Sequence, residues 1–247
     1  TEDYKSVVHS EALNIENLKA LMGSKYVQSD MAGIYKKTLM YLKENRKVLF
    51  AGTPCQCAAL KKFLEGKVCV DELYLMDFVC YSIYSPLVYK KWLEEMEKQE
   101  NSTISRLRFK SKKYGWESRY LEIDFYNGEK RFQSDLKGED LFIAGIEVAD
   151  LYQRRSCYKC LFREENHRAS DFTVGDFWGI KSQTEYDLFK GISFVMANSQ
   201  KANVLLKRMN RRMVIRRCKL SDIKKGNPNM VDNPILQATK RDTFFTN

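Results

Sequence analysis

KVLFAGTPCQCAALKKFLEG, residues Lys47–Gly66, is the stretch whose reading decides the fold. Its first half, KVLFAG, is a short β-rich run closed by glycine. Thr53 then stands as an N-cap with Pro54 at the first helical position, and good helix formers continue to Gly66. Cys55 therefore falls in the first turn of a helix that follows a strand. A second unit of the same kind comes next: Leu73–Cys80 reads as a strand ending at Cys80, and a helix runs from Pro86 through Trp92 to Lys98. Two successive strand-turn-helix units predict parallel strands whose C-terminal ends carry the site, as in open α/β sheets. Upstream, Leu13–Met22 and Met31–Leu42 have apolar residues at helical spacing.

The middle of the chain reads differently. Ile104–Lys110, Arg119–Tyr126 and Lys130–Gln133 are strand-like, and Asn127-Gly128 between the last two is a strong hairpin signal. Beyond them lie SCYKC with Cys157 and Cys160, a strand-like run Asp171–Trp178 broken by Gly175, and a strand Gly191–Ala197 leading to a helix near Gln200–Asn210. The expected class is α/β, or α+β: a mixed sheet, with parallel units in the first half and a more antiparallel second half. No repeat, low-complexity tract or linker marks a boundary, so residues 1–247 read as a single compact domain.

Composition sets limits on function. With 44% hydrophobic and 13% aromatic residues the chain supports a core, which excludes a disordered protein. No stretch reaches 18 uninterrupted apolar residues, so no membrane partner is expected. Seven cysteines, an odd number without the dense spacing of a secreted scaffold, fit a reduced, cytoplasmic setting. The net charge of +10 points to anionic partners. Its densest part is KRMNRRMVIRRCK (Lys207–Lys219), which suits an acidic protein such as a ferredoxin, or is a solvated face. No recognised nucleic-acid motif accompanies it, so no nucleic-acid partner is expected.

Four cysteines carry the chemistry: Cys55 and Cys80 at predicted strand ends, and the C-x2-C pair Cys157 and Cys160. A four-thiolate set suits tetrahedral zinc or a [4Fe–4S] cluster, and spacing alone does not choose between them. Cys57 is two residues along the helix from Cys55 and points to another side. Cys69 and Cys218 read as structural. The two histidines, His9 and His167, offer little: His167 follows the C-x2-C pair as a ligand or proton carrier, but its place in the charged run REENHR favours a surface side chain.

Five ordered segments, GSKYVQSDM (Gly23–Met31), VLFAGTPCQ (Val48–Gln56), FKSKKYGW (Phe109–Trp116), SCYKCLF (Ser156–Phe162) and DFTVGDFWGI (Asp171–Ile180), resemble the signature segments of the coenzyme F420 hydrogenase/dehydrogenase beta-subunit family. The resemblance implies a flavoprotein that binds FAD and a [4Fe–4S] cluster, with Cys55, Cys80, Cys157 and Cys160 as the cluster's ligands. It implies flavin contacts from Ser24, Lys25, Tyr26 and Gln28, from the turn Gly52, Thr53, Pro54 and Gln56, and from Lys110 and Trp116. Lys25 and Lys110 would neutralise pyrophosphate, and Thr53 and Gln56 would hydrogen-bond near the isoalloxazine. Catalytic residues are not assigned.

The chain departs from the family pattern after its second strand. Cys80-Tyr81-Ser82-Ile83-Tyr84-Ser85 keeps the cysteine and the later serine of C-H-G-x-x-S but not the histidine and glycine. No ferredoxin-like cysteine motif precedes Gly23, so the chain corresponds to the family's C-terminal catalytic region. The expected activity is electron transfer between a small two-electron substrate, deazaflavin F420 or similar, and one-electron carriers. The other readings are a zinc-stabilised binding module and a non-catalytic scaffold of the same family.

Overall fold

The computed structural model describes residues 3–31, 33–117, 120–134, 140–147, 149–163, 168–180, 189–227 and 235–246. Two helices, α1 (Ile15–Leu21) and α2 (Ile34–Lys43), lead into β1 (Val48–Gly52), α3 (Pro54–Leu64), β2 (Leu73–Phe78) and α4 (Pro86–Glu100). α3 starts where the sequence placed it because Thr53 and Gln56 form a reciprocal capping box, the Gln56 side chain accepting from the Thr53 amide at 2.9 Å. α4 is capped by Ser85 and stopped by Asn101 in the left-handed region, with φ 48°.

Three antiparallel strands follow, β3 (Ile104–Ser111), β4 (Tyr120–Phe125) and β5 (Lys130–Ser134), in a sheet of their own. The β4–β5 turn falls on Asn127-Gly128 as expected, with Gly128 at φ 91°. Next come α5 (Leu141–Glu147), a 3₁₀ turn at Arg155–Lys159, β6 (Phe172–Asp176) and β7 (Ser193–Ala197). α6 (Gln200–Met209), α7 (Leu220–Gly226) and α8 (Arg241–Thr246) end the described chain.

The first sheet has the order β1-β2-β6-β7. β1 and β2 are parallel from Val48↔Leu73 to Gly52↔Asp77, β6 joins β2 in parallel, and β7 returns antiparallel along β6. The mixed α/β class thus holds, with the parallel strands in the first half and one later strand, β6, added to them. The whole second sheet, with α4 and α5, is inserted in the connection from β2 to β6. Strand ends differ by one or two residues from those expected: β2 stops at Phe78, leaving Cys80 in the turn beyond it, and β6 stops at Asp176. Arg119 and His167 lie outside the described residues. No described helix is long and apolar enough to cross a membrane.

Each sheet has its own core. Phe50, Leu73 and Leu75 of the first sheet pack on Cys57, Leu60 and Leu64 of α3 and Leu42 of α2. Trp92, Leu93 and Met96 of α4 meet Phe109, Leu121, Ile123 and Phe125 of the second sheet, with Phe142 of α5 stacked on Trp92 at 4.8 Å. A third, smaller cluster joins Phe194 of β7 to Ile223 of α7 and to Val79.

Asp77 interrupts the apolar face of β2 and is wholly buried. Its carboxylate accepts from Ser170 Oγ at 2.6 Å and pairs with the Arg168 guanidinium at 3.3 Å, whose side chain is 2% exposed. Removing one partner leaves the other charge buried and unanswered, which costs about 3–5 kcal/mol. Asp77→Ala is therefore expected to lower stability by about that amount in denaturant titration. Adding Arg168→Met should recover a large part of the loss, because two apolar groups replace the broken pair.

Candidate functional site

Cys55 is the second residue of α3, where the open N–H groups and the helix dipole favour negative charge, and its sulfur lies 3.1 Å from Thr53 Oγ1. Cys80 comes two residues after β2, so the parallel pairing of β1 and β2 brings both thiols to one sheet edge. The third segment is stitched to the second by backbone hydrogen bonds. Arg154 N–H donates to the Ile83 carbonyl at 2.7 Å and Ser85 N–H donates to the Tyr152 carbonyl at 3.0 Å, around a bridge between Tyr84 and Gln153. That ladder holds the 3₁₀ turn bearing Cys157, with Cys160 at its end, over the Cys80 loop.

All four sulfur-bearing residues line one cavity of about 30 Å³, together with Pro54, Phe162, Arg163 and Arg168. The thiols are free of disulfides. Burial, then the mutual repulsion of Cys55, Cys157 and Cys160, pushes the Cys80 thiol up to about 12, with the Arg163 charge opposing. Burial also raises Cys157. Among the described residues, no three His, Cys, Asp or Glu side chains close on a point tightly enough to hold a single metal ion. A soft four-sulfur donor set of this kind suits tetrahedral zinc or a polynuclear iron–sulfur cluster.

The remaining cysteines stay out of the cavity. Cys57 is buried in the core beneath α3, its sulfur directed at the carbonyls of Gly52 and Met76, and burial pushes its thiol up to about 12. Cys69 and Cys218, read as structural, are exposed instead and contribute nothing to the interior.

The residues expected around a flavin fall into three groups. Ser24 bridges to Phe109, and the Tyr26 ring meets Phe109 edge-on at 5.3 Å. The register of β3 slips between Arg108 and Ser111, and Lys110 takes φ 51° in that bulge. Bulges re-aim side chains, and here the Lys110 ammonium lies 5.3 Å from the Tyr26 ring. Lys25 sits in the same group, but its ammonium donates to the carbonyls of Leu21 at 2.8 Å and Gly23 at 3.1 Å. Gln28 is exposed.

The second group is the β1–α3 turn of Gly52, Thr53, Pro54 and Gln56. A Cβ on Gly52 would come within 3.0 Å of the Phe50 ring and 3.1 Å of Gln56 Oε1, so a larger residue there would require those side chains to give way. Gln56 has both ends engaged, its oxygen in the capping box and its Nε2 donating to Ser29 Oγ at 3.0 Å. That bond ties the turn to the Gly23–Met31 segment. Trp116 forms the third group. It stacks on Trp178 at 4.5 Å and rests on Gly191, whose φ of 83° and lack of Cβ leave room for the indole, while its buried Nε1 has no hydrogen-bond partner among the described residues.

Sequence reasoning missed Arg163 and Arg168, because REENHR reads as a solvated charge run. The signal was Asp77: a carboxylate inside an apolar strand requires a buried cation. His9 stacks on Phe50 at 5.4 Å, and burial lowers its pKa. The basic run from Lys207 to Lys219 is exposed at all seven of its lysines and arginines. It leads into α7, whose Ile223 packs in the cluster that Val79, the neighbour of Cys80, also joins, and Asn227 beyond α7 donates to the Asp176 carbonyl at 3.0 Å.

Fold and site together define a mixed α/β protein that gathers four free cysteines at the C-terminal edge of its parallel strands. The chain belongs to the coenzyme F420 hydrogenase/dehydrogenase beta subunit family, whose model for the subunit's C terminus matches residues 45–223. The family is one of oxidoreductases. No curated protein sequence matches the chain. Among solved structures, the chain is similar to one in the xenon-derivatized F420-reducing [NiFe] hydrogenase complex from Methanosarcina barkeri, with 15% identity and a TM-score of 0.44. The match covers 84% of this chain and 66% of that one.

In metal-free protein the raised thiols of Cys57 and Cys80 predict an order of alkylation. At pH 8 exposed Cys69 should react first and Cys57 and Cys80 last, read by mass spectrometry after timed iodoacetamide treatment. Both thiols ordinarily titrate near 9 and are pushed to about 12 in the fold. Unfolded chains release these protons first as pH rises, so stability should be intact below pH 9 and decline from there toward 12.

Proposed function

We propose that the chain is an FAD- and [4Fe–4S]-dependent oxidoreductase that passes electrons between a small two-electron substrate, deazaflavin F420 or similar, and a one-electron carrier. The observation that carries the reading is the meeting of Cys55, Cys80, Cys157 and Cys160, from three separate segments, around one cavity. Family membership supports the redox chemistry and the deazaflavin class of substrate. A flavin and a cluster, when bound, supply two-electron and one-electron chemistry respectively.

The chain's own residues do the positioning. The four thiolates would hold the cluster, with Pro54 and Phe162 as apolar neighbours in the cavity wall. Ser24, Tyr26, Gln28 and Lys110 would receive the flavin on one side and Gly52, Thr53, Pro54 and Gln56 on the other, joined by the Gln56–Ser29 bond. Lys110 and Lys25 would meet pyrophosphate, Lys25 by turning from the carbonyls it now satisfies. The orphaned indole N–H of Trp116 is a donor suited to a flavin acceptor. We read the chain as one catalytic unit of the cytoplasm, dependent on an external acidic carrier such as a ferredoxin. The exposed basic run, which leads into α7, would offer that carrier a surface of opposite charge.

Anaerobic purification should yield brown protein with flavin and about four irons per chain. Colourless, zinc-loaded protein would instead establish the structural reading. Cys55→Ser should retain the fold and lose most of the iron, because a protonated hydroxyl is a poor ligand for a soft site. Flavin reduction by the two-electron donor should then survive better than transfer to a viologen dye, and equal loss of both half-reactions would tell against a relay role. For the carrier, Arg211→Glu with Arg212→Glu should slow association with a ferredoxin by about tenfold or more at low salt, with the difference fading at high salt in stopped-flow measurements.

A further inference from the structure

We propose that α1 is a lid on the flavin site, latched by Lys25, and that a phosphate group taking the Lys25 ammonium frees the helix to close its apolar stripe over a ring of the bound dinucleotide. The inference rests on the flavin reading above and adds to it a helix that the reading leaves out.

Ile15, Leu18 and Met22 recur at i, i+3 and i+7 along α1 and its C-cap, so they share one stripe. They are 56, 50 and 70% exposed, and no residue of α1 is buried. A helix of seven residues is marginal by itself, and packing of an apolar face ordinarily supports it. Here the caps do so instead. Asn14 Oδ1 accepts from the Asn17 amide at 2.8 Å, and at the other end the Lys25 ammonium donates to the carbonyls of Leu21 at 2.8 Å and Gly23 at 3.1 Å. Among the described residues that ammonium has carbonyls alone for partners. A phosphate oxygen outcompetes a neutral carbonyl for an ammonium, because both charges then contribute to the bond.

The loop that carries α1 is fixed at both ends. Val8 bridges Asp30, with the His9 amide donating to the Asp30 carbonyl at 2.8 Å and the Asp30 amide to the Val7 carbonyl at 2.7 Å. Glu11 is held by Lys37 and Tyr41 of α2, and Ser24 bridges Phe109. Between these anchors Gly23 takes φ 102°, and a Cβ there would meet nothing within 4 Å, which makes it a joint about which α1 can turn. What adjoins the joint decides the occupant. Lys25 offers a cation to phosphate, and the Tyr26 and Phe109 rings, edge-on at 5.3 Å, offer a planar ring its neighbours. Both belong to a dinucleotide, and the stripe on α1 supplies the cover.

The test is amide hydrogen exchange read by mass spectrometry on anaerobic protein stripped of flavin and on the same protein saturated with FAD, with binding followed by flavin fluorescence. Amides of residues 15–22 should exchange about fivefold or more slower with FAD bound. Lys25→Met should exchange them faster than the unmodified protein when both are free of flavin. Leu18→Ser with Met22→Ser should weaken FAD binding by about tenfold or more, because two apolar side chains no longer cover the ring. Inorganic pyrophosphate, which brings the charge without a ring, should compete with FAD and speed exchange in residues 15–22. Pyrophosphate that fails to compete, or competes without altering that exchange, overturns the latch, as does unchanged exchange in Lys25→Met. FAD bound with unchanged exchange in residues 15–22 overturns the lid, and so does unaltered FAD affinity in the serine pair. Protein that takes up no FAD would sink the flavin reading itself, a result distinct from FAD bound beneath an unmoved helix.

Discussion

The buried pair between Asp77 and Arg168 is the constraint on which the rest of the site depends. A carboxylate on the buried face of a strand is tolerable only if charge and hydrogen bonds meet it from the protein side. Ser170 and Arg168 do so, and both belong to the segment that runs from the C-x2-C pair into β6. The pair thus clamps that returning segment against β2. Arg168 in turn holds the Arg163 carbonyl, and Arg163 holds the Tyr81 carbonyl beside Cys80. A local problem of electrostatics in one strand becomes the means by which distant cysteines are brought to one place.

Around that clamp, the five signature segments are cross-tied rather than merely near one another. The Gly23–Met31 segment bridges to β3 through Ser24 and Phe109, and reaches the β1–α3 turn through Ser29 and Gln56. The glycine-tryptophan end of the β3–β4 connection stacks on Trp178 after β6. The two sheets, each with its own core, are joined through these ties at the edge where the cysteines stand.

Much of this was readable in one dimension. Thr53, Pro54 and Gln56 spell a helix start through local hydrogen bonds, and local bonds act between neighbours in sequence. The parallel pairing of β1 and β2, and with it the approach of Cys55 to Cys80, followed from two repeated strand-turn-helix units. The left-handed bulge at Lys110 left no mark, since lysine carries no signal for positive φ. The stack of Trp116 on Trp178 and the burial of Arg163 and Arg168 depend on contacts between segments far apart in the chain. The charge of the two arginines reads as surface until Asp77 is given a place in the sheet. Cys69 and Cys218 run the opposite way: cysteine is most often buried, and here these two of the seven are exposed.

The insertion of an entire antiparallel sheet between β2 and β6 also sets a timetable. A ribosome delivers Cys55 and Cys80 early, and their strands can pair as soon as both have emerged. Cys157 and Cys160 arrive only after α4, the second sheet and α5 have been made, and the β6 strand that clamps them comes later still. Pairings between residues so far apart form slowly, because loop closure is paid for before any contact rewards it. For a considerable part of synthesis the chain therefore displays two thiols at an unfinished sheet edge, open to oxidation or to stray metal. Safe maturation of such a protein is a matter of when the last pair of cysteines closes over the first.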